Sequence, residues 1–369
     1  MQWLAYIVVP FLISTAMTPL VKWLAIKLEV YAQMNERTVH HGKIARIGGV
    51  AIYVSFLLSM VFFMDGIDVT ILGLLIGCTI IFIGGLIDDM LNLKPIYKMA
   101  FQAVATIVLI SVGGVELDTI RLPLNISIEM GLISFIITFV WVIGITNAIN
   151  LIDGLDGLAG GVTTIVLLTI ASISFVDERF HDIGILSLLL AGAIIGFLIF
   201  NMHPASIFMG DCGALFLGFF VASISLMGFK SSTFITLGFP ILLLAVPIID
   251  TLSAMLRRFL AGKSFTEADK SHLHHVLMRR FGHRNTVFII YLITIGFGVS
   301  AYIYILNKTF GLLLIAFIFI GLEIFIEKTQ MISEHYHPLL SFWNYMRGKN
   351  RMIEAEIKKL EDENKEVDD

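Results

Sequence analysis

The 369-residue chain is short of charge: 15% of its residues are Asp, Glu, Lys or Arg, while 57% are hydrophobic. Soluble domains carry roughly 25% charged and 45–50% apolar residues, so this shortage excludes an ordinary water-facing surface and points to a bilayer. Cysteine is scarce too. Cys78 lies in an apolar run and Cys212 far from it, with no metal-ligand spacing, so both read as free thiols. Strand-like alternation is nearly absent, which argues against a barrel. No small-residue cleavage pattern follows the first apolar run, so that run is expected to be a retained span. Nothing in the charge distribution points to nucleic acid.

What the chain has instead is apolar runs long enough to cross a hydrocarbon core of roughly 30 Å as helix. They fall at about 3–28, 47–64, 69–87, 99–113, 130–147, 159–176, 183–200, 212–229, 233–256, 286–306 and 309–326. The expected fold is therefore all-α, a polytopic membrane bundle of about eleven transmembrane helices over 1–326 with a charged tail over 327–369. Pro10, Pro19, Pro240 and Pro247 fall inside spans one and nine, where kinks are expected. On one side of this topology lie 21 of the 25 Lys and Arg residues. Basic residues stay in the cytoplasm, so the N-terminus is expected outside and the C-terminus inside. Alternation from Glu116 to Pro123 fits a short hairpin on the outer face. The tail, with Met352, Ile353, Ile357 and Leu360 at helical spacing, reads as an amphipathic helix or a disordered segment.

The dense polar clusters all fall in connections on the basic side, so one site can use them together. Asp88 and Asp89 end span three, and Lys98 follows at the start of span four. Paired acids beside a lysine suit a base and a phosphate anchor, and equally a hydrated helix end. From Asn147 to Leu158, two amides and two acids recur at three-residue steps, which on a helix puts Asn147, Asn150 and Asp153 near one face. Phe208-Met209-Gly210-Asp211-Cys212-Gly213 sets a single acid in a glycine-flanked loop, with Asn201 upstream. Such an acid can reach a phosphate-bound Mg²⁺, and Asp211 is the leading metal ligand. The basic loop from Arg257 to Arg284 carries Asp269, His272, His274 and His275. Its cations suit a diphosphate or a lipid headgroup, and for Arg279, Arg280 and Arg284 the retention signal is explanation enough. Arg37 to Gly49 is a further basic stretch before span two. Asp250, about two turns before Arg257, reads equally as half of a buried pair or as a ligand.

Taken together, Asp88-Asp89, the NAINLIDGLDGLAGG run from Asn147 to Gly161, FMGDCG from Phe208 to Gly213 and His272-Leu273-His274-His275 resemble the polyprenyl-phosphate N-acetylhexosamine-1-phosphate transferases, from about Arg37 to His275. The H-x-H-H form looks like the branch that uses UDP-N-acetylglucosamine and initiates wall teichoic acid or O-antigen synthesis. The translocase that transfers phospho-N-acetylmuramoyl-pentapeptide is the alternative within the family.

The resemblance implies transfer of a sugar phosphate from a UDP-sugar to undecaprenyl phosphate in a bacterial plasma membrane, with UMP released and a cytoplasmic active site. It implies Mg²⁺, or Mn²⁺ in its place, on Asp211 with Asn150 as second ligand. It also implies catalytic roles for Asp88, Asp89, Asp153 and His272, a phosphate contact from Lys98, uracil recognition near Asp156, Asn201 and Phe208, and sugar or diphosphate contacts from Arg258, His272, His274 and His275. A homodimer is compatible with it. Ala214 stands where the family commonly has serine, and Ala32, Met34 and Ala45 where an acid and two prolines are frequent. A covalent carboxyl-phosphate intermediate is the rival mechanism. A secondary transporter is the rival function, and it would place polar groups near the midplane rather than at one face.

Overall fold

The computed structural model describes residues 2–31, 44–121, 127–131, 133–176, 180–229, 238–260, 272–329 and 336–348. Among them run α1 (Gln2–Lys27), α2 (Gly49–Phe63), α3 (Val69–Leu91), α4 (Pro95–Ser111), β1 (Thr119–Arg121), β2 (Ser127–Glu129), α5 (Ile133–Ile152), α6 (Leu158–Ser174), α7 (His181–Asn201), α8 (Gly210–Phe229), α9 (Gly238–Leu243), α10 (Ala245–Leu260), α11 (Leu273–Phe281), α12 (His283–Leu306) and α13 (Lys308–Thr329). A last helix, α14, covers 338–348.

Seven helices, α1, α3, α5, α7, α8, α12 and α13, are long and apolar enough to cross a membrane, and α2, α4 and α6 are shorter apolar helices. The protein is a multi-pass helical membrane protein. With the α9–α10 pair these helices account for the eleven expected spans, and only the ninth is built differently. It breaks at Leu244, because Pro247 has no N–H to give to the carbonyl of Leu243, where α9 ends. Residues 230–237 of that span lie outside the described residues. α1 continues unbroken through Pro10 and Pro19. The expected hairpin forms, with Ile120 opposite Ile128 in an antiparallel pair.

Apolar surface is sorted by neighbour. Leu4, Leu12, Leu20 and Trp23 of α1 face outward, as do Leu313 and Phe317 of α13, which in a bilayer is contact with acyl chains. Phe56, Phe197, Phe216, Phe220 and Phe297 are fully buried; Phe56 meets Phe216 and Phe220 at 6.0 and 5.2 Å, joining α2 to α8, and Phe297 of α12 meets Phe319 of α13 at 5.1 Å. Tyr53 stacks on Phe82 at 4.0 Å between α2 and α3. Helix α8 is the buried axis, packed against α3 and α5.

Two features fix the end of α8 where the site forms. Gly85 lets α3 close on α8, because a Cβ there would strike the Asp211 carbonyl and the Cys212 backbone. The segment before α2 is strapped across the loop before α8. Phe208 N–H donates to the Ala45 carbonyl at 2.8 Å, Gly48 N–H to Phe208 O at 2.9 Å and Gly49 N–H to Met209 O at 2.7 Å. Arg46 is thereby held over the N-terminus of α8. Residues 32–43, with the first part of the expected basic stretch from Arg37, lie outside the described residues, as do Asp269 and the tail beyond 348.

Candidate active site

The chemistry gathers where α3, α4, α5 and α8 end beside the 44–48 segment. Lys98 reaches from the first turn of α4 to both Asp88 at 2.5 Å and Asp211 at 2.6 Å. Arg46 lies 3.1 Å from Asp89 and 3.3 Å from Asp211. Residues 46, 88–98 and 211, three regions far apart in sequence, thus supply one mixed cluster of carboxylates and cations. Asp88 and Asp89 do not cap a hydrated helix end, as one reading of the sequence had it. They lie inside α3 and are almost wholly buried, a placement that is costly without such partners.

The paired acids have different duties. Asp88 accepts the Leu93 N–H at 2.8 Å and turns its other oxygen to Lys98. Asp89 accepts the backbone N–H of Asp211 at 2.8 Å and of Cys212 at 2.9 Å. These are first-turn donors of α8 that have no partner within their own helix. Asp89 therefore caps α8 from another helix and sets where Asp211 stands. Gly210, at φ +75°, makes the approach possible, since a Cβ there would strike the Arg46 carbonyl and the Asp89 carboxylate.

The second motif meets two neighbours from α5. Asn147 pairs reciprocally with Gln102 of α4, at 2.7 and 3.1 Å. Asn150 instead donates to Asp211 Oδ1 at 3.1 Å. Asn147 thus joins two helices and Asn150 joins the acid cluster. Asp153, just past α5, feels Asp211, Arg46, Asp89 and Asp156. Its carboxyl is pushed up to about 7, by burial first and then by the charge of Asp211. Burial alone would lower the Arg46 guanidinium, but the charges of Asp211 and Asp89 raise it.

Asp156 and Asn201 form a neighbouring knot. The Asp156 carboxylate lies 2.8 Å from His203 Nδ1 and accepts the Ala205 N–H at 3.1 Å. His203 stacks on His283 at 4.1 Å, and single ligand atoms of Asp156, His203 and His283 all lie within 4.8 Å of one another. Asn201 accepts the Gly157 N–H at 3.1 Å and donates to Ile207 O at 3.0 Å. Each end of its amide holds a backbone group, so Asn201 shapes the loop. Phe208 is half-buried at the strap.

The histidine motif is anchored by Asp250, whose partner is α11. Asp250 accepts the Leu273 N–H at 2.7 Å, and its two oxygens lie 3.2 Å from His272 Nδ1 and 3.5 Å from His274 Nδ1. Those two contacts are at ion-pair range without hydrogen-bond alignment. His272 and His274 are buried, and a Cβ on Gly154 would touch His274 Nε2, so the histidines back onto the loop that carries Asp153. His275 is half-buried at the edge, and its imidazole is lowered to about 4, by burial first and then by His274 and His272. Arg258 sits half-buried in the last turn of α10. Sequence reasoning missed Gln102, and it noted Arg46 and Asp250 without the contacts they make. Arg46 was hidden in a basic loop. Gln102 stands one turn after Lys98 on the same face, a spacing that offered a signal. Asp250 gave none that named α11.

A helical membrane protein with carboxylates, amides, a lysine and an arginine at one end of its bundle is built from groups that bind phosphates and cations. Comparison with known proteins makes this specific. Residues 71–229 match glycosyl transferase family 4. The chain is 37% identical, over 93% of its length and 98% of the relative's, to the probable undecaprenyl-phosphate N-acetylglucosaminyl 1-phosphate transferase of Bacillus subtilis (strain 168). It is 34% identical to the decaprenyl-phosphate N-acetylglucosaminephosphotransferase of Mycobacterium leprae (strain TN), over 82% of this chain and 84% of that one. It is 31% identical to the phospho-N-acetylmuramoyl-pentapeptide-transferase of Streptococcus uberis, but over only 56% of this chain and 63% of that one. The chain belongs to this family of transferases, the one its sequence motifs resemble.

Proposed function

We propose that the protein transfers N-acetylglucosamine-1-phosphate from UDP-N-acetylglucosamine to undecaprenyl phosphate at the cytoplasmic face of a bacterial plasma membrane. The products are undecaprenyl-diphospho-N-acetylglucosamine and UMP, and the step initiates a cell-envelope glycopolymer such as wall teichoic acid or O-antigen. The observation that carries the reading is Lys98 shared between Asp88 and Asp211, in a chain with relatives named as N-acetylglucosamine phosphate transferases of undecaprenyl and decaprenyl phosphate.

In this reading an oxygen of the lipid phosphate attacks the β-phosphorus of the donor. The bond from that phosphorus to the oxygen bridging to the α-phosphorus breaks, and the electron pair leaves with UMP. Lys98 and Arg46 hold phosphoryl oxygens and offset charge that builds during the transfer. Asp88 orients the lipid phosphate and takes any proton left on it. Asp89 holds the end of α8 in register, and Asp153 and the histidines line the donor side with Arg258. Phe208 and Asp156 stand on the nucleotide side.

The donor set fits a hard divalent ion. Asp88, Asp89, Asp153 and Asp211 bring four carboxylates against the two cations Arg46 and Lys98. The Asn150 amide, turned over, would present its oxygen beside Asp211. Asp211 with Asn150 would hold Mg²⁺ or Mn²⁺, which when bound offsets the charge of the diphosphate.

Transfer of label from UDP-N-acetylglucosamine to undecaprenyl phosphate tests the reading, using purified protein with Mg²⁺ or EDTA. UDP-N-acetylmuramoyl-pentapeptide and UDP-N-acetylgalactosamine serve as competing donors. Labelled lipid with stoichiometric UMP, lost on chelation, is the expected result. Preference for the pentapeptide donor would move the protein to the other branch, and no transfer from any donor by folded protein would sink the reading.

A further inference from the structure

Helix α14 starts from an unusual anchor. The Glu327 carboxylate, buried at the end of α13, accepts the N–H groups of Leu339 and Leu340 at 2.5 and 2.8 Å. Donors in the first turn of a helix have no partner within it, so α14 is pinned by its N-terminus to the end of a membrane span. Along it, Leu339, Phe342, Trp343 and Met346 fall at i, i+3, i+4 and i+7, which is one helix face. That face is bare: Phe342 is 62% exposed and Trp343 67%, with Tyr345 beside them also at 67%. Left in water, so many large apolar groups on so short a helix would be costly.

We propose that α14 lies in the headgroup layer of the membrane that the bundle spans, with this face toward the acyl chains. Three observations choose lipid over a protein partner. The helix is fixed to α13, whose own outer side chains, Leu313, Phe317 and Ile320, are exposed where lipid would be. Its bare face holds Trp343, and Tyr345, also exposed, stands at the flank of that face beside Phe342; both are side chains that settle at the membrane–water boundary. Arg347 and, in sequence, Lys349 and Arg351 follow, with no Asp or Glu between Glu334 and Glu354, a charge pattern that suits lipid phosphates. Because α12 starts beside the histidines of α11 and α13 returns, α14 leaves the bundle on the side of the acid cluster. The inference does not depend on which sugar nucleotide the site uses.

Tryptophan fluorescence of the full-length protein in nanodiscs tests it. The discs carry plain lipid, lipid brominated high on the acyl chain, or lipid brominated near the terminal methyl. Subtracting the emission of Trp343→Phe isolates Trp343 from Trp3, Trp23 and Trp141. The expected signal is blue-shifted, strongly quenched by the upper bromines, weakly by the lower ones and little by aqueous iodide. In a Phe342→Ser, Met346→Ser protein with an unchanged thermal transition, the same signal should move to the red and iodide quenching should rise severalfold. Quenching by iodide alone in the unaltered protein would overturn the proposal in favour of a helix standing in water. Quenching by neither agent would overturn it in favour of a face covered by protein.

Discussion

Asp89 holds Asp211 by its backbone: the carboxylate of one accepts the amide N–H of the other at 2.8 Å, across 122 positions of sequence. An acid that looked like half of a catalytic pair is the cap of the helix that presents the other acid. Asp88, one residue earlier, faces Lys98 instead. Adjacent residues on a helix point about 100° apart, so the pair divides between the α8 backbone and the Lys98 ammonium.

This division separates two isosteric variants. Asp89→Asn sets an amide NH₂ against one of the two N–H donors, and the protein is expected to lose about 1–3 kcal/mol of stability together with turnover. Asp88→Asn is expected to lose turnover while keeping its thermal transition and nucleotide binding. Thermal unfolding in detergent, alongside the transfer assay, distinguishes them, and retained turnover in Asp88→Asn would remove it as an essential group.

Lys98 neutralises two carboxylates at once. Lys98→Met leaves Asp88 and Asp211 facing each other with no shared cation, and turnover should fall by about 100-fold or more. Lys98→Arg should recover part of that loss. Equal rates for the two variants would show that the charge at this position is idle.

Asp211 is the acid on which the metal reading turns. Asp211→Asn is expected to abolish turnover at every Mg²⁺ concentration in a protein that still folds, because Asp89 bonds only its backbone. Full activity of the purified variant would remove the assignment.

Gly210→Ala tests the turn that brings Asp211 to Asp89. A positive φ disfavours alanine by about 1 kcal/mol, and the added methyl strikes the Arg46 carbonyl besides. A variant with unchanged melting temperature and rate would mean that the strap over α8 yields freely.

His275 sets a pH dependence of stability. Its imidazole is lowered from its usual 6.5 to about 4, so between those values the unfolded chain binds more protons than the folded one. Stability from this group is complete above 6.5 and is lost as the pH falls toward 4. The melting temperature should therefore drop across that window, and His275→Gln should drop less.

The sequence by itself determined the material of this protein. Runs of about 20 apolar residues cannot be anything but spans in a bilayer, because each must satisfy its own backbone there, and ten of the eleven proved to be single helices at nearly the expected bounds. The motif letters also determined which residues deserved notice, since Asp88, Lys98, Asn150 and Asp211 do meet. Tertiary structure decided what each of them touches. Three-residue spacing suggested one face for Asn147, Asn150 and Asp153, but not which neighbours would meet it: Gln102 answers the first and Asp211 the second. Asp250 found its partners in α11, 22 to 24 residues away, instead of in Arg257 on its own helix. Periodicity describes one helix at a time, whereas a buried polar group is answered by whichever donor the packing of another helix brings within about 3 Å.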